Sequence, residues 1–141
     1  MLHNYGITKM HLKDSMKYAA LISAVGIAII TVLGLFVGFK NFSLDVRWLA
    51  FYLLVSVPLQ EFVFRGFILT HLLKIEKLRR AGAIIIAAII YSSIHYSNPI
   101  IVVLALVAGI AWNYAFYKKP NLLGPIISHA ILGSYLFLLV L

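Results

Sequence analysis

The stretch Tyr18–Phe39, YAALISAVGIAIITVLGLFVGF, decides the fold. It carries no charged residue and, as a helix rising about 1.5 Å per residue, reaches about 33 Å, enough to cross a hydrocarbon core of about 30 Å. A signal peptide's apolar core is shorter, about 7 to 15 residues, and ends in small residues rather than in Lys40-Asn41-Phe42, so the run is expected to be a retained anchor helix. Working outward, four further apolar runs lie near 48–73, 81–96, 98–117 and 122–141. The segment before the first span, with lysines at 9, 13 and 17 and apolar Ile7, Met10 and Leu12, is expected to lie at the interface as a short helix. The expected architecture is a single all-α membrane domain over 1–141, a polytopic bundle of about five transmembrane helices.

Composition agrees. Of 141 residues, 63% are apolar and 11% charged, with a mean hydropathy of +1.02, as in polytopic membrane proteins. Without cysteine there is no disulfide and no thiol nucleophile, and a metal could be held only by histidines and acids. The net charge of +8 could suggest nucleic acid, but the cations lie between the spans, so no nucleic-acid partner is expected. Lys9, Lys13, Lys17, Lys74, Lys77, Arg79, Arg80, Lys118 and Lys119 all fall to one side of the expected spans, and only Lys40 and Arg47 to the other. The positive-inside rule then puts the N-terminus in the cytoplasm and the C-terminus outside. A prokaryotic plasma membrane is the expected location and the lipid bilayer the first partner.

Against this apolar background the polar residues inside the spans stand out. Pro58-Leu59-Gln60-Glu61-Phe62-Val63-Phe64-Arg65-Gly66 places a carboxylate and a guanidinium within the second span. A charge near the bilayer centre costs about 2.5 to 3.5 kcal/mol on insertion scales, so such residues point to function. Glu61 and Arg65, four apart, share a helix face and can neutralise one another, which is also the plain structural explanation for both. Pro58 removes an amide donor and permits a kink. The third span carries Tyr91 and His95 four apart, the fifth Ser128, His129 and Gly133, and the fourth Asn113. Helical rise puts Glu61 about 20 Å from the outer end and His129 about 10 Å from the inner end, the same level, whereas His95 comes out about 10 Å too high. Tilt, a kink at Pro58 or a later start of the third helix would reconcile them.

A carboxylate and two histidines in a dry cavity can activate water, one group taking its proton while another donor steadies the oxyanion. The same set could hold zinc, although HExxH spacing is absent, or form a proton path in a transporter.

Gln60-Glu61-x-x-x-Arg65, Tyr91-x-x-x-His95 and His129-x-x-x-Gly133, in order over about half of the chain, resemble the three motifs of the CAAX protease and bacteriocin-processing (Abi) family of intramembrane glutamic endopeptidases. Those motifs usually read EExxxR, FxxxH and HxxxN. The resemblance implies an all-helical, metal-independent endopeptidase with a cavity open toward the cytoplasm. In related prenyl-protein proteases the first glutamate and the second-motif histidine activate water, while the third-motif histidine and asparagine stabilise the oxyanion. Here the first glutamate falls on Gln60, which cannot act as a base, and the asparagine on Gly133, which has no donor. Three readings stand: Glu61 is itself the base; the chain is a non-catalytic relative; or the glutamine is an introduced substitution that silences an enzyme.

The leading expectation is an endopeptidase cutting a membrane-proximal bond of a protein or peptide substrate, without a cofactor. Glu61 and His95 prepare the water, His129 steadies the oxyanion, Gln60 lends an amide donor, and Arg65, Tyr91 and Asn113 support them. The alternative is a binding or bacteriocin-immunity protein on the same scaffold. His3, His11 and His71 are expected at the surface or interface, Trp48 and Tyr117 as interfacial anchors.

Overall fold

The computed structural model describes residues 5–39 and 44–140, so His3 and Lys40 lie outside the described residues. Five helices run in order: α1 (Leu12–Val37), α2 (Val46–Leu72), α3 (Arg80–Ser93), α4 (Pro99–Lys118) and α5 (Leu123–Leu139). Helices α1, α2 and α4 are long and apolar enough to cross a membrane; α3 and α5, both apolar, are shorter. Lipid-facing side chains are the exposed ones, such as Leu35, Phe36 and Leu54, as expected where the solvent is itself apolar.

Local chemistry sets the helix limits. Asp45 caps α2, its carboxylate accepting from the Arg47 and Trp48 amides at 2.9 and 3.1 Å, and Asn98 caps α4 in the same way with Pro99 in the first turn. Two expected boundaries move. Helix α1 begins at Leu12, so the interfacial segment and the first span are one helix from that residue onward. Helix α3 ends at Ser93 rather than near 96, where the Ser92 and Ser93 hydroxyls turn back to the carbonyls of Ile89 and Ile90.

Helices α1 and α5 pack as a parallel pair, held by Ser23 Oγ to Ser128 Oγ at 3.1 Å and Thr31 Oγ1 with Tyr135 Oη at 2.8 Å. Close approach is required near the start of α5, because a Cβ on Gly124 would lie 2.5 Å from the Ser15 carbonyl oxygen. Helices α3 and α4 form an antiparallel hairpin, and α2 lies against α3 on one side and α5 on the other. The cation-rich segments meet at one end: Lys119 pairs with Asp14 at 3.0 Å, Arg80 sits 5.7 Å over the Tyr117 ring, and Asn121 Nδ2 donates to the carbonyls of Thr8 and Met10. Tyr5 stacks on His71 at that same end.

Around Pro58, which has no amide hydrogen to give, helix α2 continues. It widens into π-helical turns at Tyr52–Ser56 and Phe62–Leu69, on either side of Gln60 and Glu61. The Val57 amide reaches back to the Tyr52 carbonyl. Such widened turns gather at functional sites because they re-aim side chains without unpairing the backbone.

Candidate active site

Glu61, fully buried, is the centre of a connected network. Its Oε1 accepts from Arg65 Nη1 at 3.1 Å and from His129 Nδ1 at 2.7 Å. A carboxylate can only accept, so Nδ1 donates to it, and Nε2 is paired with the Tyr91 hydroxyl at 3.2 Å. Arg65 is equally buried. Its guanidinium lies 4.2 Å over the Tyr91 ring and 5.2 Å over Trp112, an arrangement that stabilises a desolvated cation by up to about 2 kcal/mol. Trp112 in turn stacks on His129, with centroids 4.9 Å apart, and donates Nε1–H to Ser128 Oγ at 3.0 Å. Helices α2, α3, α4 and α5 thus fix His129 on both ring nitrogens and on one face.

Beside this network lies a cavity of about 510 Å³ between α1, α2, α4 and α5. Its walls are mostly aliphatic, from Leu21 to Ile30 on α1 and Ile101 to Ala111 on α4, and its polar groups are Tyr52, Gln60, Tyr91, His95 and His129. No carboxylate lines it among the described residues. Gln60 Nε2 donates to Ser56 Oγ at 2.8 Å, and Gln60 Oε1 has no protein partner among them.

The residues singled out in the sequence therefore divide. Glu61, Arg65, Tyr91 and His129 form one hydrogen-bonded cluster; Gln60 and His95 stand on the cavity wall. Glu61 is aimed at Arg65 and His129 rather than at the cavity, so the rotation that would make it a wall residue does not occur. Asn113 stands apart from the cavity, its amide donating to the Ile84 carbonyl at 2.9 Å and tying α4 to α3. His95 lies in the turn after α3 rather than on the helix itself. Leaving the helix resolves part of the depth mismatch, since the turn adds little rise. The Tyr91 ring spans the remainder, with centroids 5.7 Å from His95 and 5.8 Å from His129.

Two site residues escaped the sequence reading. Trp112 had no signal beyond being an aromatic residue inside a span. Tyr52 had one: Tyr52, Ser56 and Gln60 recur every fourth residue and mark one face of α2. The zinc set considered from sequence does not assemble as a ligand group. Both ring nitrogens of His129 are engaged, and among the described residues no three His, Asp or Glu side chains converge.

Comparison with curated proteins and with solved structures finds no significant match to either. The family comparison is decisive: the model of the type II CAAX prenyl endopeptidase Rce1-like family matches residues 41–134, about two thirds of the chain, which spans all three motifs, and the chain belongs to that family.

Proposed function

We propose that this protein is an intramembrane endopeptidase that hydrolyses a membrane-proximal peptide bond, with His95 as the general base. The observation that carries this reading is the position of His95: among the described residues it is the one imidazole on the cavity wall that the buried cluster does not hold. A water between His95 and Gln60 Oε1 loses a proton to the imidazole as its oxygen attacks the carbonyl carbon. The carbonyl π pair moves to oxygen. When the intermediate collapses, the C–N bond breaks and the imidazolium returns the proton to the leaving amine, giving an acid and an amine. Glu61 acts through His129 as a positioning residue, balanced by Arg65. The aliphatic walls suit a substrate held in lipid, and the positive-inside rule turns the cation-rich end to the cytoplasm.

Reconstitution in liposomes with a farnesylated CAAX-type peptide and a mixed library of membrane-anchored peptides tests this. Chelator-resistant cleavage at a membrane-proximal bond is expected; intact substrates throughout would overturn it. A second reading, a non-catalytic binding protein on the same scaffold, is favoured by one observation, the absence of a carboxylate from the described cavity wall. Copurification with a dedicated membrane partner, together with no cleavage, would select it.

A further inference from the structure

Water attack on a peptide carbonyl needs a donor aimed at the developing oxyanion, and the hydrogen bonds of this site spend most of the candidates. The Nδ1–H of His129 is given to Glu61, and its Nε2 is engaged by the Tyr91 hydroxyl. The amide of Gln60 is turned to Ser56. The Tyr52 hydroxyl belongs to none of these bonds, yet Tyr52 lines the same cavity and its side chain is almost wholly buried.

Its position is firmly set. The phenol ring stacks on Trp48 with centroids 5.1 Å apart and planes 5° off parallel, meets Phe137 edge-on at 6.2 Å, and stands edge-on to the His129 ring at 6.1 Å. The first widened turn of α2 begins at this residue. Gly133, one turn beyond His129 on α5, completes the arrangement: a Cβ there would coincide with the Tyr52 hydroxyl and lie 2.7 Å from its Cζ. The hydroxyl thus fills the volume that a side chain at 133 would occupy, and a glycine at that position is what admits it.

Resting on the endopeptidase reading, we infer that Tyr52 is a catalytic residue, its hydroxyl donating to the substrate carbonyl oxygen as the π pair moves onto it. The proton stays on the phenol throughout; only the hydrogen bond strengthens as negative charge develops. A preformed donor in a dry site is worth far more in the transition state than in the ground state. Its loss therefore falls on kcat rather than on KM.

The test measures kcat and KM in liposomes, with the farnesylated peptide and the membrane-anchored library, alongside unfolding midpoints. Tyr52→Phe keeps the ring and its stacking, and should lower kcat about 10²- to 10³-fold while KM moves less than about threefold. A merely structural tyrosine would leave kcat unmoved. The paired change Tyr52→Ala with Gly133→Asn vacates the phenol and delivers an amide donor from α5 into the same volume. It should be at least about tenfold faster than Tyr52→Ala alone, and this comparison decides the matter if the phenylalanine variant fails to fold. A Tyr52→Phe kcat within about threefold of the unaltered chain, or a paired variant no faster than Tyr52→Ala, would overturn the role of Tyr52 while leaving the endopeptidase reading in place. Absence of cleavage by the unaltered chain would overturn both.

Discussion

Glu61→Ala removes the carboxylate bonded to a fully buried arginine, and its effect can be worked from the geometry. Among the described residues Arg65 makes one side-chain hydrogen bond, Nη1 to Glu61 Oε1 at 3.1 Å, and is otherwise faced by the rings of Tyr91 and Trp112. Truncating one partner of a buried pair leaves the other charge uncompensated, at a cost of about 3 to 5 kcal/mol. The insertion cost of an arginine at the centre of a span, about 2.5 to 3.5 kcal/mol, independently gives a similar magnitude. The ring contacts persist in the variant and do not offset it. Glu61→Ala should therefore lower the folded-to-unfolded ratio by roughly two to three and a half powers of ten. Glu61→Gln retains an oxygen that both Arg65 and His129 can reach, so it should cost about 1.5 to 3 kcal/mol, the worth of a hydrogen bond to a charged group. Combining Glu61→Gln with Arg65→Met removes both charges and keeps the acceptor for His129; that pair should fall within about 1 kcal/mol of the unaltered protein. The assay is equilibrium unfolding in mixed detergent–SDS micelles followed by tryptophan fluorescence, for which Trp112, stacked on His129, is a direct reporter. A loss under about 1 kcal/mol in Glu61→Ala, or a double variant as unstable as the sum of its singles, would refute a buried, mutually dependent pair.

Further outcomes follow from the same geometry. Gln60→Glu places a carboxylate on the cavity wall that His95 also lines and should raise kcat by about 10²- to 10⁴-fold; an unchanged rate would mean position 60 does not meet the attacking water. Asn113→Ala loses one interhelical hydrogen bond to Ile84 and should cost about 0.6 kcal/mol, at most about 1.7, in the unfolding titration, with kcat unchanged; a large kcat loss would place Asn113 in the chemistry instead.

Much of the fold was readable because bilayer thickness dictates span length and because cations mark the ends. The Lys74–Arg80 and Lys118–Lys119 clusters mark the breaks between α2 and α3 and between α4 and α5. The end of α3 was not legible, since serines inside an apolar run give no period change, and their back-bonding to Ile89 and Ile90 appears only in three dimensions. The chemistry was legible as a set of residues but not as directions. Glu61 and Gln60 are adjacent in sequence, and periodicity alone does not say which faces the cavity; the widened turns of α2 decide that. Tyr52 and Gly133 are far apart along the chain, and their complementarity rests on a contact between α2 and α5 that no local pattern encodes.

On the proposed mechanism His95, rather than a carboxylate, prepares the attacking water. The most direct measurement is single-turnover cleavage in liposomes, with chelator present, comparing the unaltered chain with His95→Ala after matched unfolding titrations show both to be folded. Cleavage by the unaltered chain is expected, with a rate lowered by about 10²- to 10⁴-fold in the variant. Equal rates in the two, or no cleavage by either, would contradict it.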